Sequence, residues 1–284
     1  MQLNSCHIEN TGYDELRRGM NGTGVILALF IASLILSPLS ANPAQPQEIP
    51  TKEQIIAKFS GRVPREWGEA VKGVKTKLNT DQKVLALTFD ACGSPKGNGY
   101  DAKLIDFLTS EAIPATLFIS GKWMDANPQI FQTLSSNPLF EVENHGLTHR
   151  PCSATGRSAY GIKGTKNVEE IFDEIESNGS KIFNLTGHRP KYYRAGAAYS
   201  DEICVEIASA LGYEVVGFSV RGDAGATYSR KQVEEALLHA ASGSIILMHM
   251  NHPEGATAKG VIAAIPELKN RGFRFVKLSE SELR

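Results

Sequence analysis

Residues 245–249 read Ile245-Ile246-Leu247-Met248-His249, four apolar side chains in a row closed by a histidine. A strand with one wet face alternates apolar and polar residues, whereas an unbroken apolar run is buried on both faces. Strands of that kind belong to parallel sheets covered by helices. The run Leu85-Ala86-Leu87-Thr88-Phe89 has the same character and ends on Asp90. Further β-type runs give seven in all, at 84–89, 115–119, 140–143, 191–193, 214–220, 244–249 and 273–278. Six helical patterns lie between most of them, at 101–110, 128–134, 168–183, 200–211, 229–241 and 257–271. Strands alternating with helices over this length predict an α/β fold of parallel strands joined by helical crossovers, as a barrel or as a doubly wound sheet.

The 284-residue chain has an ordinary globular composition, 42% hydrophobic and 21% charged. With 30 basic against 31 acidic side chains, nothing points to nucleic acid or to an anionic membrane surface. The strongest apolar run, residues 25–36, is short for a bilayer span of ~20 residues but suits the core of a secretory signal. Arg17 and Arg18 flank it, and Leu39-Ser40-Ala41 offers a small-residue cleavage site. Residues 1–41 therefore read as an N-terminal extension with a signal peptide or an uncleaved anchor. Met20 is a second candidate start. Losing residues 1–41 removes two arginines and three acids, which leaves 28 of each sign and a neutral mature chain. Export to an oxidising compartment is expected, and any membrane contact would be through the retained anchor. There Cys92, Cys152 and Cys204 make an odd count, so at most one disulfide and one free thiol. Residues 42–82 read as a Pro-rich linker and a lead-in helix over 51–59 opened by Thr51, and 83–284 as the main domain.

Asp90 and His249 each close a strand, and His145 and His149 follow another in Asn144-His145-Gly146-Leu147-Thr148-His149. Arg194 and Asp223 also fall just after strand ends. In parallel α/β folds ligands bind at that rim, where side chains from separate strands converge. Each of the six has an ordinary structural explanation alone, as a cap, a surface ion pair or a satisfied core histidine. Together they supply metal-assisted hydrolysis. An H-x-x-x-H spacing places two imidazoles on one side of a helical turn, close enough to share a metal. A carboxylate takes a proton from water, and a separate histidine protonates the leaving group. Arg194 would keep the carboxylate ionised, and Asp223 would keep His249 protonated. The Gly- and Ser-rich stretch 153–166 follows the histidine pair and is placed over the site. His252 is a further candidate.

These motifs resemble NodB-type polysaccharide deacetylases, metal-dependent enzymes that remove N-acetyl or O-acetyl groups from sugar polymers. Leu87-Thr88-Phe89-Asp90 is similar to the first motif of that family, and Asn144–His149 to its histidine motif. Pro114-Ala115-Thr116-Leu117-Phe118-Ile119-Ser120-Gly121 is similar to its second strand, and Leu247-Met248-His249 to its last motif. The resemblance implies a distorted (β/α) barrel of about seven parallel strands. It also implies Asp90 as base, His145 and His149 as metal ligands, Arg194 as partner of the base and His249 as acid. The cofactor would be a divalent metal, zinc first, with cobalt or nickel as alternatives, and the substrate an acetylated glycan or peptidoglycan.

Three departures stand out. The family has two adjacent aspartates, base then ligand, where this chain reads Asp90-Ala91-Cys92-Gly93. A proline-rich turn whose N–H serves the oxyanion is replaced by Ala195-Gly196-Ala197-Ala198, leaving the backbone near Ala197 as donor. The fourth motif, Ser219-Val220-Arg221-Gly222-Asp223, lacks the usual tryptophan. The third ligand is thus open between Asp90 and Cys92. Cys92 and Cys152 each lie within three residues of a site motif, which favours a disulfide between them over two buried thiols. The competing readings are a catalytically silent carbohydrate-binding protein and a small-amide or imide hydrolase.

Overall fold

A computed structural model describes residues 48–284 apart from residue 95. The signal-like segment and residues 42–47 of the linker lie outside the described residues. Helix α1 (Lys52–Phe59) forms where expected: the Thr51 hydroxyl accepts from the Gln54 N–H, and the Gln54 side chain accepts from the Thr51 N–H. This reciprocal cap satisfies two donors that the first helical turn leaves free.

The chain then runs β1 (Val84–Ala91), α2 (Ala102–Ser110), β2 (Ala115–Ile119), α3 (Gly121–Ala126), α4 (Pro128–Ser135) and β3 (Phe140–Asn144). A small antiparallel hairpin, β4 (Ser158–Ala159) and β5 (Ile162–Lys163), precedes α5 (Val168–Thr186), β6 (Tyr192–Tyr193) and α6 (Glu202–Ala210). After β7 (Glu214–Val215) and β8 (Val220–Arg221) come α7 (Arg230–Leu238), β9 (Ile245–His249), α8 (Thr257–Asn270) and β10 (Arg274–Phe275). Asp101, Ser120, Asn167, Asp201 and Ser229 each cap a helix by accepting from a backbone N–H.

Seven parallel strands in the order β7-β6-β3-β2-β1-β9-β8 form the curled sheet of a distorted barrel. The run 214–220, read as one strand, is two short ones at opposite edges of this sheet. Its middle crosses the gap, so one extended segment completes the ring. The run 273–278 contributes only β10, which pairs with the start of β1 at Val84 and Leu85.

Alternation along each strand separates two environments. Leu85, Leu87, Phe89 and Ala91 pack in an apolar cluster with Leu104, Trp123, Val233 and Val261 of the surrounding helices. Val84 and Ala86 join Phe118, Tyr192, Val216 and Ile245 in a second cluster that fills the barrel interior. Thr88, then Asp90, continue that interior face toward the carboxyl ends of the strands. A third cluster places Ile55 and Phe59 of α1 against Ile171, Ile175, Ile203 and Ile207 of α5 and α6.

The expected Cys92–Cys152 bridge does not form. Cys152 is bonded to Cys204 on α6, with Cα atoms 5.9 Å apart, and Cys92 is free and buried. Cys152 sits in the third cluster, packed toward α1, α5 and α6, whereas Cys92 follows the interior face of β1. Nearness to a motif in sequence did not put the two sulfurs on one side of the sheet.

Candidate active site

Arg194 follows β6 and is fully buried. Its guanidinium lies 4.1 Å over the Phe118 ring, at the top of the interior apolar plug. From there it donates to Thr88 Oγ1 and Asp90 Oδ1 on β1, both at 2.8 Å. It also donates to the carbonyls of Val216 and Gly217, at 3.1 and 2.9 Å, in the segment that crosses the barrel gap. Asp90 is 3% exposed. Burial pushes its carboxyl up, but the charges of His145, Arg194 and His249 outweigh this and hold it below the usual value.

The histidine pair meets without a helical turn. β3 ends at Asn144, and the chain bends through Gly146 at φ 77° and His149 at φ 61°. The two rings come within 4.8 Å, centroid to centroid, by this loop. His145 Nδ1 is 2.8 Å from the Arg194 carbonyl, which only accepts, so Nδ1 carries the proton. That fixes the tautomer and turns Nε2 toward Asp90 Oδ2 at 3.5 Å and Cys92 Sγ at 3.9 Å. Cys92, His145 and His149 offer ligand atoms all within 4.8 Å of one another. Burial pushes the Cys92 thiol up, yet the surrounding histidines bring it well below its ordinary value.

On the opposite side His249 Nδ1 meets Asp223 Oδ1 at 2.9 Å. Asp223 also accepts from the His249 N–H at 2.7 Å and from Thr257 Oγ1 at 2.9 Å. Burial lowers the His249 pKa, but the Asp223 carboxylate raises it well above the usual value. Ala197 and Ala198 adopt left-handed φ of 58° and 55°, a strained conformation for residues with a Cβ. The Ala197 N–H has no acceptor among the described residues, and Ala197 lines the cleft.

That cleft has a volume of about 440 Å³, and Asp90, His149, Ala197 and His249 share it. A larger hollow of about 1020 Å³ involves α1 and α6 and contains none of these residues, so its size says nothing about the chemistry. His252 is not brought in: it pairs with Glu254 at 2.9 Å and does not line the cleft.

A family model described as polysaccharide deacetylase matches residues 77–216. The chain is 27% identical over 207 residues to the peptidoglycan-N-acetylmuramic acid deacetylase of Bacillus subtilis, covering 71% of this chain and 72% of that one. It is 26% identical over 212 residues to the peptidoglycan-N-acetylglucosamine deacetylase of Bacillus cereus, covering 73% and 92%. Residues 77–216 belong to the polysaccharide deacetylase family. The solved structure of a CE4 family pseudoenzyme from Bacillus anthracis superposes with a TM-score of 0.61 at 20% identity, over 72% of this chain and 67% of that one, which is a likeness of fold.

Two parts of this family member's site escaped the sequence reading. Glu174 on α5 is 3% exposed and accepts from the N–H groups of Thr148 and Arg150 and from the Thr148 hydroxyl. It holds the His149 loop. A Cβ at Gly146 would lie 2.5 Å from Glu174 Oε1, so glycine is required at the bend. The signal was available: Glu174 and Asn178 are polar residues on the buried stripe of α5 that also carries Ile171, Ile175 and Ile182. The second part is the side of the cleft formed by Tyr160, Ile162, Phe218 and Arg221. Tyr160 and Ile162 come from the hairpin within 153–166, which lies over the site as expected. The lead-in residue Glu69 ties it down, accepting from Arg221 at 2.6 Å and from the Tyr160 hydroxyl at 3.1 Å.

Proposed function

We propose that this chain is an exported, metal-dependent hydrolase that removes acetyl groups from N-acetylated sugars, with peptidoglycan as the first substrate to test. The observation that carries the reading is the convergence on one cleft of an Arg-held carboxylate, His149 backed by the buried His145, and an Asp-held histidine. Relatives named as peptidoglycan deacetylases support the substrate class.

The donor set fits a cation. With Nδ1 donating to a carbonyl, His145 Nε2 faces a carboxylate oxygen and a sulfur, a set that takes positive charge between its atoms either as a proton on Nε2 or as a bound cation that replaces it. His145 and His149 would hold a divalent ion, zinc before cobalt or nickel, since imidazole suits all three. When bound, such an ion supplies Lewis acidity toward the acetyl carbonyl and toward water.

The protein groups do the rest. Asp90, kept ionised by Arg194, accepts a proton from water as its oxygen attacks the acetyl carbon. The Ala197 N–H donates to the oxygen that becomes negative. The C–N bond breaks, His249 gives its proton to the departing nitrogen, and acetate and a free amine result. A silent carbohydrate binder would need neither the Asp90–Arg194 pair nor the His249–Asp223 pair.

The purified chain should release acetate from N-acetylated glycan, lose that activity to a chelator and regain it with zinc. The His145→Ala, His149→Ala double variant should be inactive. Undiminished acetate release from that variant would rule out the metal mechanism.

A further inference from the structure

We infer that Cys92 is the third protein ligand, so that this chain holds its ion with two imidazoles and a thiolate. The inference rests on the metal-dependent reading above and names its missing donor. Where the family pattern places a carboxylate, this chain has Ala91, and Ala91 packs in the apolar cluster with Leu104 and Trp123. Side chains alternate along β1, so Cys92 returns to the interior side occupied by Asp90.

The geometry suits a ligand. In a tetrahedral zinc site with Zn–S ~2.3 Å and Zn–N ~2.0–2.1 Å, sulfur and nitrogen stand about 3.6 Å apart. Cys92 Sγ lies 3.9 Å from His145 Nε2, and all three ligand atoms fall within 4.8 Å. Asp90 is the weaker candidate: Oδ1 is committed to Arg194, and although Oδ2 is 3.5 Å from His145 Nε2, Asp90 is not in the group whose ligand atoms are all mutually close. The cysteine is also held in place. Its carbonyl accepts from Ser120 Oγ at 2.8 Å. The next residue, Gly93, turns at φ 73°, where a Cβ would strike the Trp123 N–H nitrogen at 2.4 Å. Among the described residues no disulfide competes for the sulfur, because Cys152 and Cys204 are bonded to each other. Two histidines and one cysteine leave a fourth position for water or substrate, as catalytic zinc sites do. Thiolate ligation would also favour zinc and cobalt over magnesium and manganese.

The test uses the purified chain with cobalt, without substrate. The wild type should show the near-ultraviolet thiolate-to-cobalt charge-transfer absorption, and Cys92→Ala should lack it. Zinc affinity of Cys92→Ala should fall by ~10-fold or more, since even outer partners of metal ligands cost ~10–100-fold. Cys92→Asp should recover zinc binding without the absorption band. Should the variants fail to fold, alkylation of the wild-type thiol decides, because bound zinc should slow it. A cobalt-loaded wild type without the band, or equal alkylation with and without zinc, would overturn the assignment. Chelator-sensitive acetate release without the band would leave the functional reading intact and remove Cys92. The band without acetate release would do the reverse.

Discussion

A proton donor is useful only if it still holds its proton at working pH, and in the proposed reaction Asp223 would see to that for His249. His249 must be protonated to act as acid, and its protonated fraction falls as pH rises through its pKa. The Asp223 carboxylate raises that pKa against burial, so activity should persist to higher pH than an ordinary histidine allows. Asp223→Asn removes the charge, and the alkaline limb of kcat/KM should move to lower pH, with a loss of roughly 10²–10⁴ near the optimum. An alkaline limb that stays in place would assign the acid to another group. That Asp90, His145, His149, Arg194, Asp223 and His249 would gather at one rim was readable from position alone, because each ends or follows an apolar run. The partner of Cys152 was not. Sequence gives the spacing of a cysteine from a motif but not which face of a strand its sulfur takes.

Helix α5 does more than cover the sheet. Its buried stripe carries Glu174 and Asn178, which bond the turn after β3 from beneath. Asn178 donates to Asn144 Oδ1 at 2.8 Å, and that oxygen also accepts the Gly146 N–H at 2.9 Å. Glu174→Ala would leave three donors of the His149 loop without their acceptor. The expected cost is roughly 1–3 kcal/mol in denaturant unfolding, with a fall in metal affinity beyond that of a distant surface variant. Glu174→Gln keeps one acceptor oxygen and should lie between. Metal affinity unchanged in Glu174→Ala would show that His149 is held by other means. The bend itself was misread because H-x-x-x-H is a helical spacing, whereas here two left-handed residues bring the rings together. The split of 214–220 was hidden for a related reason: both halves are β-type locally, and only closure of the barrel sends them to opposite edges.

Closure of the domain also depends on the covalent tie between the loop after β3 and α6. Cys152 and Cys204 are 52 residues apart, and cross-linking a span of that length removes considerable freedom from the unfolded chain. Replacing both by serine should cost roughly 2–4 kcal/mol, read as a lower denaturant midpoint with a steeper slope, because the unbridged unfolded chain exposes more surface. Activity should fall less than stability. The Cys152 N–H still donates to the Tyr199 carbonyl at 2.9 Å, and the Asp201 N–H to the Cys152 carbonyl at 3.0 Å, so the backbone beside His149 keeps its anchors. Thiol titration of the unfolded, oxidised chain over residues 48–284 should find one free cysteine, Cys92. Three free thiols would remove the bridge. A double variant as stable as the wild type would instead show that the bridge constrains an ensemble already held compact by the α1, α5 and α6 cluster.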